Sequence, residues 1–317
     1  MNMKLSNTQV TGTRLTKLKY LGALPKLKKV ISDFKPAILH AHYATSYGLL
    51  GALSGFHPFI TSLWGSDVYD FPSKSFLYQN ILQFVLKRTD SLLSTSNSMA
   101  HEAAKYYNKE ITVTPFGVDI NLFKYSGTER LFNNGEFVLG VAKNLEDIYG
   151  IDVLMKAFVV LKQNNPGKKL KLLIIGSGTR ELHLQKLAKE LSIEKETVFT
   201  GRIRNEKLPS YYSAMDVAVF LSRAESFGVS ALEAMACERP VVATRVEGFK
   251  EIIKNNVTGI LVEPGDPVAV ADAVQKIMSD KELSRLMGTK ARKLVTENYG
   301  HENSVKKMLA VYEGYLS

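Results

Sequence analysis

Two glutamates in the stretch RAESFGVSALEAMACERP, residues 223–240, have the type and spacing to hold a ligand. Glu225 lies on a loop that follows the apolar run DVAVFLS, and Glu233 lies on the helix predicted to begin near Gly228. A carboxylate can accept hydrogen bonds from two adjacent hydroxyls, as on a ribose. The pattern therefore predicts two carboxylates that grip two polyhydroxy groups of one ligand.

The start of the same helix supplies a complementary site for an anion. Free N–H groups and the positive end of the helix dipole favour a phosphate there, and Gly228 lets the backbone approach it closely. The prediction is a diphosphate held between the two glutamates. The alternative is that Glu233 is a solvated helix residue and Glu225 an ordinary loop charge.

Short apolar runs alternate with longer amphipathic stretches, which is the pattern of parallel α/β folds. In parallel sheets, ligands bind beyond the carboxyl ends of the strands, which is where the loop with Glu225 lies. The predicted strands form a first group at 37–41, 58–64, 91–95 and 111–115, and a second group at 137–142, 170–176, 197–201, 216–222, 240–244 and 260–264.

The two groups of strands predict two domains. The segment 118–136 is rich in Asn, Gly and charge and is interpreted as the linker. We therefore predict domains at 1–124 and 125–296, followed by a C-terminal helix at 297–317 that packs back toward the first domain.

Composition excludes several classes of protein. Hydrophobic residues make up 45% of the 317 residues and charged residues 23%, the balance of a globular protein. The single cysteine, Cys237, excludes a disulfide framework and a multi-cysteine metal site. With no signal peptide or membrane span visible in the sequence, we expect a cytoplasmic protein, with a peripheral position on the inner face of the membrane as an extension of this prediction.

Positive charge is concentrated in residues 1–35, where eight lysines and arginines face Asp33 as the sole acid, within a net charge of +10 for the chain. Leucines at helical spacing separate the basic residues. Residues 13–35 therefore predict contact with an anionic membrane surface. The alternative is a helix pair packed on a sheet, with its lysines in water. No nucleic-acid partner is expected, because no aromatic residues interleave a basic patch.

The stretch ESFGVSALEAMAC, followed by RPVVAT, resembles the Glu-x7-Glu signature of family 4 retaining glycosyltransferases. The resemblance extends over nearly the whole chain through AILHAHYATSYGLLGAL, ITSLWGSD, STSNSM, VTPFGVDINLF, GIDVLMKAF, LLIIGSGTRE and TGILVEPGDP. It implies the GT-B fold, in which two Rossmann-like parallel-sheet domains face a cleft.

The resemblance also implies an activity. Such an enzyme moves a sugar from a nucleoside-diphosphate sugar to a glycan or polyprenyl-linked acceptor with retention, as in surface polysaccharide synthesis. The donor is a substrate, and neither a cofactor nor a metal ion is expected. An isomerase on the same fold is a weaker alternative, because it would need an acid/base pair and none is evident in the sequence.

Roles for individual residues follow from the resemblance. Glu225 would contact the donor sugar and Glu233 the ribose. The other donor-binding positions implied are Phe227, Gly228 and Val229 for the diphosphate, and Gly201 and Ile203 for the base.

Transfer builds negative charge on the departing diphosphate, which fixed cations stabilise. The family places an arginine after the strand FVLGVA and a lysine before the next helix. Lys143 lies close to the arginine position, Asn144 occupies it in the alternative register, and Tyr149 stands at the lysine position. We expect Lys143 and Glu225 to be catalytic; the alternative for Lys143 is a solvated charge at a strand end.

In the first domain, Trp64 stands where the family often has a histidine, and it can stack on a sugar face. His42 and Trp64 are expected to line the acceptor side. Asp67 is interpreted either as a hydroxyl ligand or as a helix cap. His40 and His42 lack further ligand residues nearby, so no metal site is expected there.

Only 39 residues precede His40, whereas the resemblance implies further βα units before it. We therefore expect an N-terminally shortened first domain whose missing units belong to an incomplete start or are supplied by a partner chain. The alternative function is a non-catalytic or truncated subunit, or a remnant, that binds a nucleotide-sugar.

Overall fold

The computed structural model describes residues 17–127, 131–133 and 135–316. These residues divide into two compact units. The first unit runs to Thr114 and includes the chain from Leu309 onward, and the second unit comprises Pro115–Met308.

The first unit contains a parallel sheet of four strands in the order β1-β2-β3-β4. All five residues of the second strand are buried, as expected for a parallel sheet covered by helices. The strands are β1 Leu39–His42, β2 Phe59–Leu63, β3 Ser91–Ser94 and β4 Ile111–Val113.

Helices of the first unit begin at favourable capping residues where the sequence provides them. The hydroxyl of Ser75 accepts from the N–H of Tyr78, and that of Ser96 accepts from the N–H of Met99. The helices are α1 Leu24–Phe34, α2 Ser46–Ser54, α3 Ser66–Tyr69, α4 Phe76–Arg88 and α5 Asn97–Ala103.

The second unit contains a parallel sheet of six strands in the order β10-β9-β8-β5-β6-β7. Every residue of the fourth and fifth strands along the chain is buried. The strands are β5 Glu136–Ala142, β6 Lys169–Ile175, β7 Thr197–Phe199, β8 Val217–Phe220, β9 Val241–Thr244 and β10 Gly259–Val262.

Helices connect these strands and cover the sheet of the second unit. They are α6 Ile151–Asn164, α7 Glu181–Glu190, α8 Leu208–Ser213, α9 Val229–Ala236, α10 Glu247–Ile252, α11 Pro267–Ser279, α12 Lys281–Asn298 and α13 His301–Leu316, the last of which continues into the first unit.

The strand order of the second unit has a topological switch point. The chain builds β5, β6 and β7 in one direction and then returns to the other side of β5 with β8. Loops after β5 and β8 therefore diverge to opposite sides of the sheet, and a crevice opens at the carboxyl ends of these strands. This is the position at which a ligand site is expected.

The boundary between the units differs from the predicted one at residue 124. Val118 and Phe123 are each only 3% exposed and belong to the core of the second unit. The guanidinium of Arg292 donates to the carbonyl oxygens of Ile120 and Phe123. Because these contacts fix the segment, residues 115–124 belong with the second unit, and the segment at 118–123 is not a loose linker.

The C-terminal segment also divides differently from the predicted boundary at 296. Residues up to Met308 cluster with the second unit, and the rest of α13 clusters with the first. In the first unit, the hydroxyl of Tyr312 lies 2.7 Å from Nδ1 of His40, and that of Tyr315 lies 2.5 Å from the hydroxyl of Ser91.

None of the helices in the described part of the chain is both long enough and apolar enough to span a membrane. Part of the predicted membrane-contact segment, residues 13–16, lies outside the described residues.

Candidate functional site

The two residues predicted to be catalytic meet at the switch point of the second unit. Nζ of Lys143, which follows β5, lies 2.8 Å from Oε2 of Glu225, which follows β8. Each side chain is only 12% exposed. The hydroxyl of Ser222 donates to the same carboxylate oxygen at 3.1 Å. A partly buried charge pair therefore lies where the topology predicts a ligand.

Tyr149 and Asn144 flank this pair differently. The ammonium of Lys143 lies 4.7 Å from the centre of the Tyr149 ring, a cation–π contact. Tyr149 is half-buried, whereas Asn144 is exposed. Tyr149 therefore helps to hold the lysine in place, a role that the sequence alone did not indicate.

Helix α10 packs against the loop that carries Glu225. The N–H of Gly248 donates to the carbonyl oxygen of Glu225 at 3.1 Å. A Cβ atom at Gly248 would lie 2.5 Å from that oxygen and 2.7 Å from the nitrogen of Phe227. Only glycine at this position lets α10 approach the loop so closely.

The helix start after this loop begins at a glycine and has the side chain of Phe227 facing inward. Gly228 has a φ of 103°, in the region that favours glycine, and α9 begins at the next residue, the half-buried Val229. Phe227 is 2% exposed, and its ring centre lies 6.0 Å from that of Phe116 and 5.8 Å from that of Tyr299. The phenyl ring is thus a core anchor, and Phe227 has only its backbone to offer a ligand.

Glu233 lies within α9 and has a buried partner. The hydroxyl of Tyr212, on α8, donates to Oε2 of Glu233 at 2.9 Å. Burial raises the pKa of Glu233 to about 7, against the opposing effects of this hydrogen bond and of the charge on Lys143. The carboxyl is therefore poised between its neutral and ionised forms at neutral pH.

Tyr212 was missed by the sequence reasoning. It is fully buried, and in sequence it reads as an ordinary core residue of a short helix. It lies 21 positions from Glu233, a separation that no helical or strand spacing connects. Only the packing of α8 against α9 brings the two together.

The residues predicted to border the base lie after β7. The carbonyl oxygen of Gly201 accepts from the N–H of Gly176, which joins the ends of β6 and β7. Ile203 is half-buried against the core of the unit. It lines a depression of about 640 Å³ together with Arg202, Arg204, Asn205, Glu206 and Leu208.

In the first unit, the structure brings His42 and Trp64 together. Their ring centres are 5.7 Å apart at an interplanar angle of 66°, and Trp64 is 46% exposed. His42 also lies against His40, with ring centres 4.1 Å apart. Burial and the neighbouring His42 lower the pKa of His40 to about 4, so this imidazole is neutral at physiological pH.

Asp67 requires a correction to its interpretation as a hydroxyl ligand. Its side chain is fully buried, and the carboxylate accepts from the N–H groups of Ala44 at 2.9 Å, Trp64 at 3.1 Å and Gly65 at 2.8 Å. These bonds tie the loop after β1 to the loop after β2. Asp67 is not the N-cap of α3 either, since that position is Gly65 and Asp67 lies inside the helix. Its carboxylate instead positions the loop that carries Trp64.

Over residues 17–127, 131–133 and 135–316, no three His, Cys, Asp or Glu side chains come together as a metal site would require. Both ring nitrogens of His40 lie within hydrogen-bond distance of other side chains, Tyr312 and Ser62. Cys237 is buried, and burial raises its pKa to about 12, so its thiol is neutral at physiological pH.

Comparison with known proteins places these features in a family. The model described as Glycosyl transferases group 1 matches residues 128–294, and the one described as Glycosyl transferase 4-like matches residues 3–96. N-acetyl-alpha-D-glucosaminyl L-malate synthase from Bacillus anthracis is 30% identical over 308 residues, which cover 93% of this chain and 79% of that protein. D-inositol 3-phosphate glycosyltransferase from Corynebacterium urealyticum is 32% identical over 247 residues, or 73% of this chain and 58% of that protein.

Solved structures agree on the fold. Sucrose-phosphate synthase from Thermosynechococcus elongatus superposes with a TM-score of 0.81 at 22% identity, covering 99% of this chain and 83% of that chain. HepE from Anabaena, solved in complex with UDP, superposes with a TM-score of 0.83 at 19% identity, covering 94% and 84%. The two parallel sheets and these neighbours define a protein of the GT-B class. The chain belongs to the group 1 glycosyltransferases.

Proposed function

We propose that this chain transfers a sugar from a nucleoside-diphosphate sugar to an acceptor hydroxyl, with retention of configuration at the anomeric carbon. The observation that carries the proposal is the Lys143–Glu225 pair at the switch point, one loop before the N-terminus of α9. Membership of the family supports the transfer of a sugar.

The donor would bind along the loops that follow β5, β7 and β8. The backbone of Phe227, Gly228 and Val229 would hold the diphosphate at the start of α9, where N–H groups and the helix dipole favour an anion. Glu233 would accept hydrogen bonds from the ribose hydroxyls. Gly201 and Ile203 would border the base.

The chemistry requires the bond between the anomeric carbon and the diphosphate oxygen to break. Negative charge grows on the departing diphosphate, and the ammonium of Lys143 and the amides at the start of α9 would stabilise it. The acceptor hydroxyl forms its new bond to the anomeric carbon on the same face, and its proton passes to the departing phosphate. Glu225 would hold the donor sugar, and its ion pair keeps Lys143 in position.

We assign acceptor binding to His42 and Trp64 in the first unit, because an exposed indole can stack on a sugar face. The acceptor class we propose is a glycan or polyprenyl-linked sugar, as in surface polysaccharide synthesis in the cytoplasm. The names of two relatives mention L-malate and D-inositol 3-phosphate, so these small acceptors belong in the same panel.

The alternative of a non-catalytic subunit has less support, because relatives that align with most of the chain are named as a synthase and a glycosyltransferase. The test separates binding from turnover. Purified chain is titrated calorimetrically with uridine, guanosine and adenosine diphosphate sugars, and the donor that binds is incubated with the acceptor panel.

The expected result is one preferred donor and a product whose anomeric configuration, measured by NMR, equals that of the donor. Activity should be unchanged by a chelator, since the proposed mechanism uses no metal ion. Binding without turnover across the panel would favour the alternative subunit. An inverted product would contradict the proposed mechanism.

A further inference from the structure

The first unit exposes a basic and apolar surface that the proposed transfer does not use. We define the basic patch as Tyr20–Lys35 together with Tyr47. It contains four lysines against one acid, Asp33, which is the only acidic residue among residues 1–66. The lysines are Lys26, Lys28, Lys29 and Lys35.

One face of α1 packs against the rest of the first unit. Leu24, Leu27 and Ile31 are half-buried at helical spacing, and α1 packs against α2. None of its residues is fully buried. The rest of the helix surface is open, and it includes Val30 at 53% exposure and Phe34 at 77%.

Two tyrosines extend the exposed apolar surface beyond α1. The rings of Tyr20 and Tyr47 meet edge to face with centres 6.3 Å apart, and they are 37% and 56% exposed. A tyrosine combines an apolar ring with a hydroxyl that prefers water, which is why such residues are enriched at the boundary between lipid and water.

We propose that the basic patch docks on an anionic lipid bilayer, with α1 lying in the plane of the headgroups. Val30 and Phe34 would enter the boundary between headgroups and acyl chains, and the lysines would contact anionic lipid. Exposed apolar side chains among the lysines favour a bilayer over nucleic acid. Because few apolar groups insert, the binding is reversible.

The inference stands apart from the proposed function, because docking needs no nucleotide-sugar. The full chain is sedimented with vesicles of phosphatidylcholine alone and with vesicles that also contain about one third phosphatidylglycerol. We expect binding to the anionic vesicles only. Salt at about 0.5 M should weaken it, since screening reduces attraction between exposed charges.

Charge reversal in the patch tests its position. Lys28→Glu/Lys29→Glu should lower the partition onto anionic vesicles by about tenfold or more, since each basic residue near the surface contributes to binding. The matched control is Lys168→Glu/Lys169→Glu, an adjacent exposed lysine pair in the second unit with the same change in net charge. The control should bind as the parent chain does.

An apolar variant tests insertion separately. Val30→Ser/Phe34→Ser keeps every charge and should lower the partition several-fold at low salt. These side chains are exposed, so the melting temperature should stay close to that of the parent, which excludes unfolding as the cause.

Three outcomes would overturn the proposal. One is equal binding to neutral vesicles or none to anionic vesicles. Another is an equal loss in the control pair, which would reduce the effect to overall charge. The third is binding to duplex DNA that depends on Lys28 and Lys29 while vesicles are not bound.

Discussion

Asp67 in the first unit and Glu225 in the second follow strands of parallel sheets, yet their partners differ in kind. Asp67 is fully buried, and three backbone N–H groups donate to it. Glu225 is 12% exposed and accepts from the side chains of Lys143 and Ser222. Backbone donors are fixed by the fold, whereas side-chain donors can rotate toward a ligand. The first carboxylate therefore holds loops together, and the second can exchange partners.

The largest effect expected from this comparison is the loss of turnover in Glu225→Ala. The change removes the contact to the donor sugar and frees Lys143 from its position, so the rate should fall by about 100-fold or more. A coupled assay of donor consumption with acceptor measures it. The matched control is Glu263→Ala, which breaks an exposed pair with Arg245 and should leave the rate unchanged. Near-normal turnover in Glu225→Ala would refute the catalytic assignment.

Asp67→Ala should act on stability instead. Three N–H groups lose a buried acceptor, which is expected to cost about 2–5 kcal/mol of unfolding free energy. Trp64 is the only tryptophan, so its fluorescence during urea unfolding reports on the first unit. Asp70→Ala is the control, because this nearby aspartate is exposed. An unchanged urea midpoint in Asp67→Ala would show that Asp67 does not stabilise the first unit.

A third carboxyl, that of Glu233, should make donor binding depend on pH. Because its pKa is raised from 4.5 to about 7, the ionised fraction rises between pH 6 and 8. Affinity for a nucleotide sugar should therefore rise by about tenfold over that range, if the carboxylate accepts from the ribose. A nucleotide sugar is used because the terminal phosphate of a free diphosphate itself titrates near a pKa of about 6.

The same carboxyl makes the stability of the fold decrease as the pH rises, whereas it makes donor affinity increase. Its raised pKa gives a contribution to stability that is fully present below about 4.5 and is lost as the pH rises through about 7. Glu233→Gln should flatten both profiles. A binding profile that keeps its slope in Glu233→Gln would show that another group titrates.

The smallest effect is expected for Tyr212→Phe. Removing the hydroxyl that donates to Glu233 should raise the pKa of that carboxyl further and weaken donor binding a few-fold at pH 7. Titration across pH measures it, and near pH 9 the variant should recover the parent affinity. A loss of equal size at every pH would indicate that Tyr212 serves packing alone.

Strand positions could be predicted because short apolar runs in a parallel sheet are buried on both faces. The ten predicted strands are all confirmed, with β5 expected at 137–142 and found at Glu136–Ala142. Lys143 and Glu225 were each expected after a strand but not as a pair, and the structure brings them together because carboxyl ends of parallel strands share an edge.

Contacts between residues that are far apart in the sequence could not be predicted in this way. The two alternatives for Asp67 were equal in sequence, because a cap and a hydroxyl ligand use the same residue type after a strand. The partner of Glu233 depends on how α8 packs on α9. The boundary near 124 was misplaced because apolar Val118 and Phe123 were read as linker residues, and only Arg292 and the core reveal their attachment.

Tyr299 has a practical consequence for dividing the chain into fragments. A fragment of the second unit that stops at the predicted boundary of residue 296 would lack this ring, which packs against Phe227. It would also lose the carbonyl of Tyr299 that accepts from the N–H of Val118. A fragment intended for nucleotide titration should therefore run from Pro115 to Met308, so that the loop before α9 keeps its support.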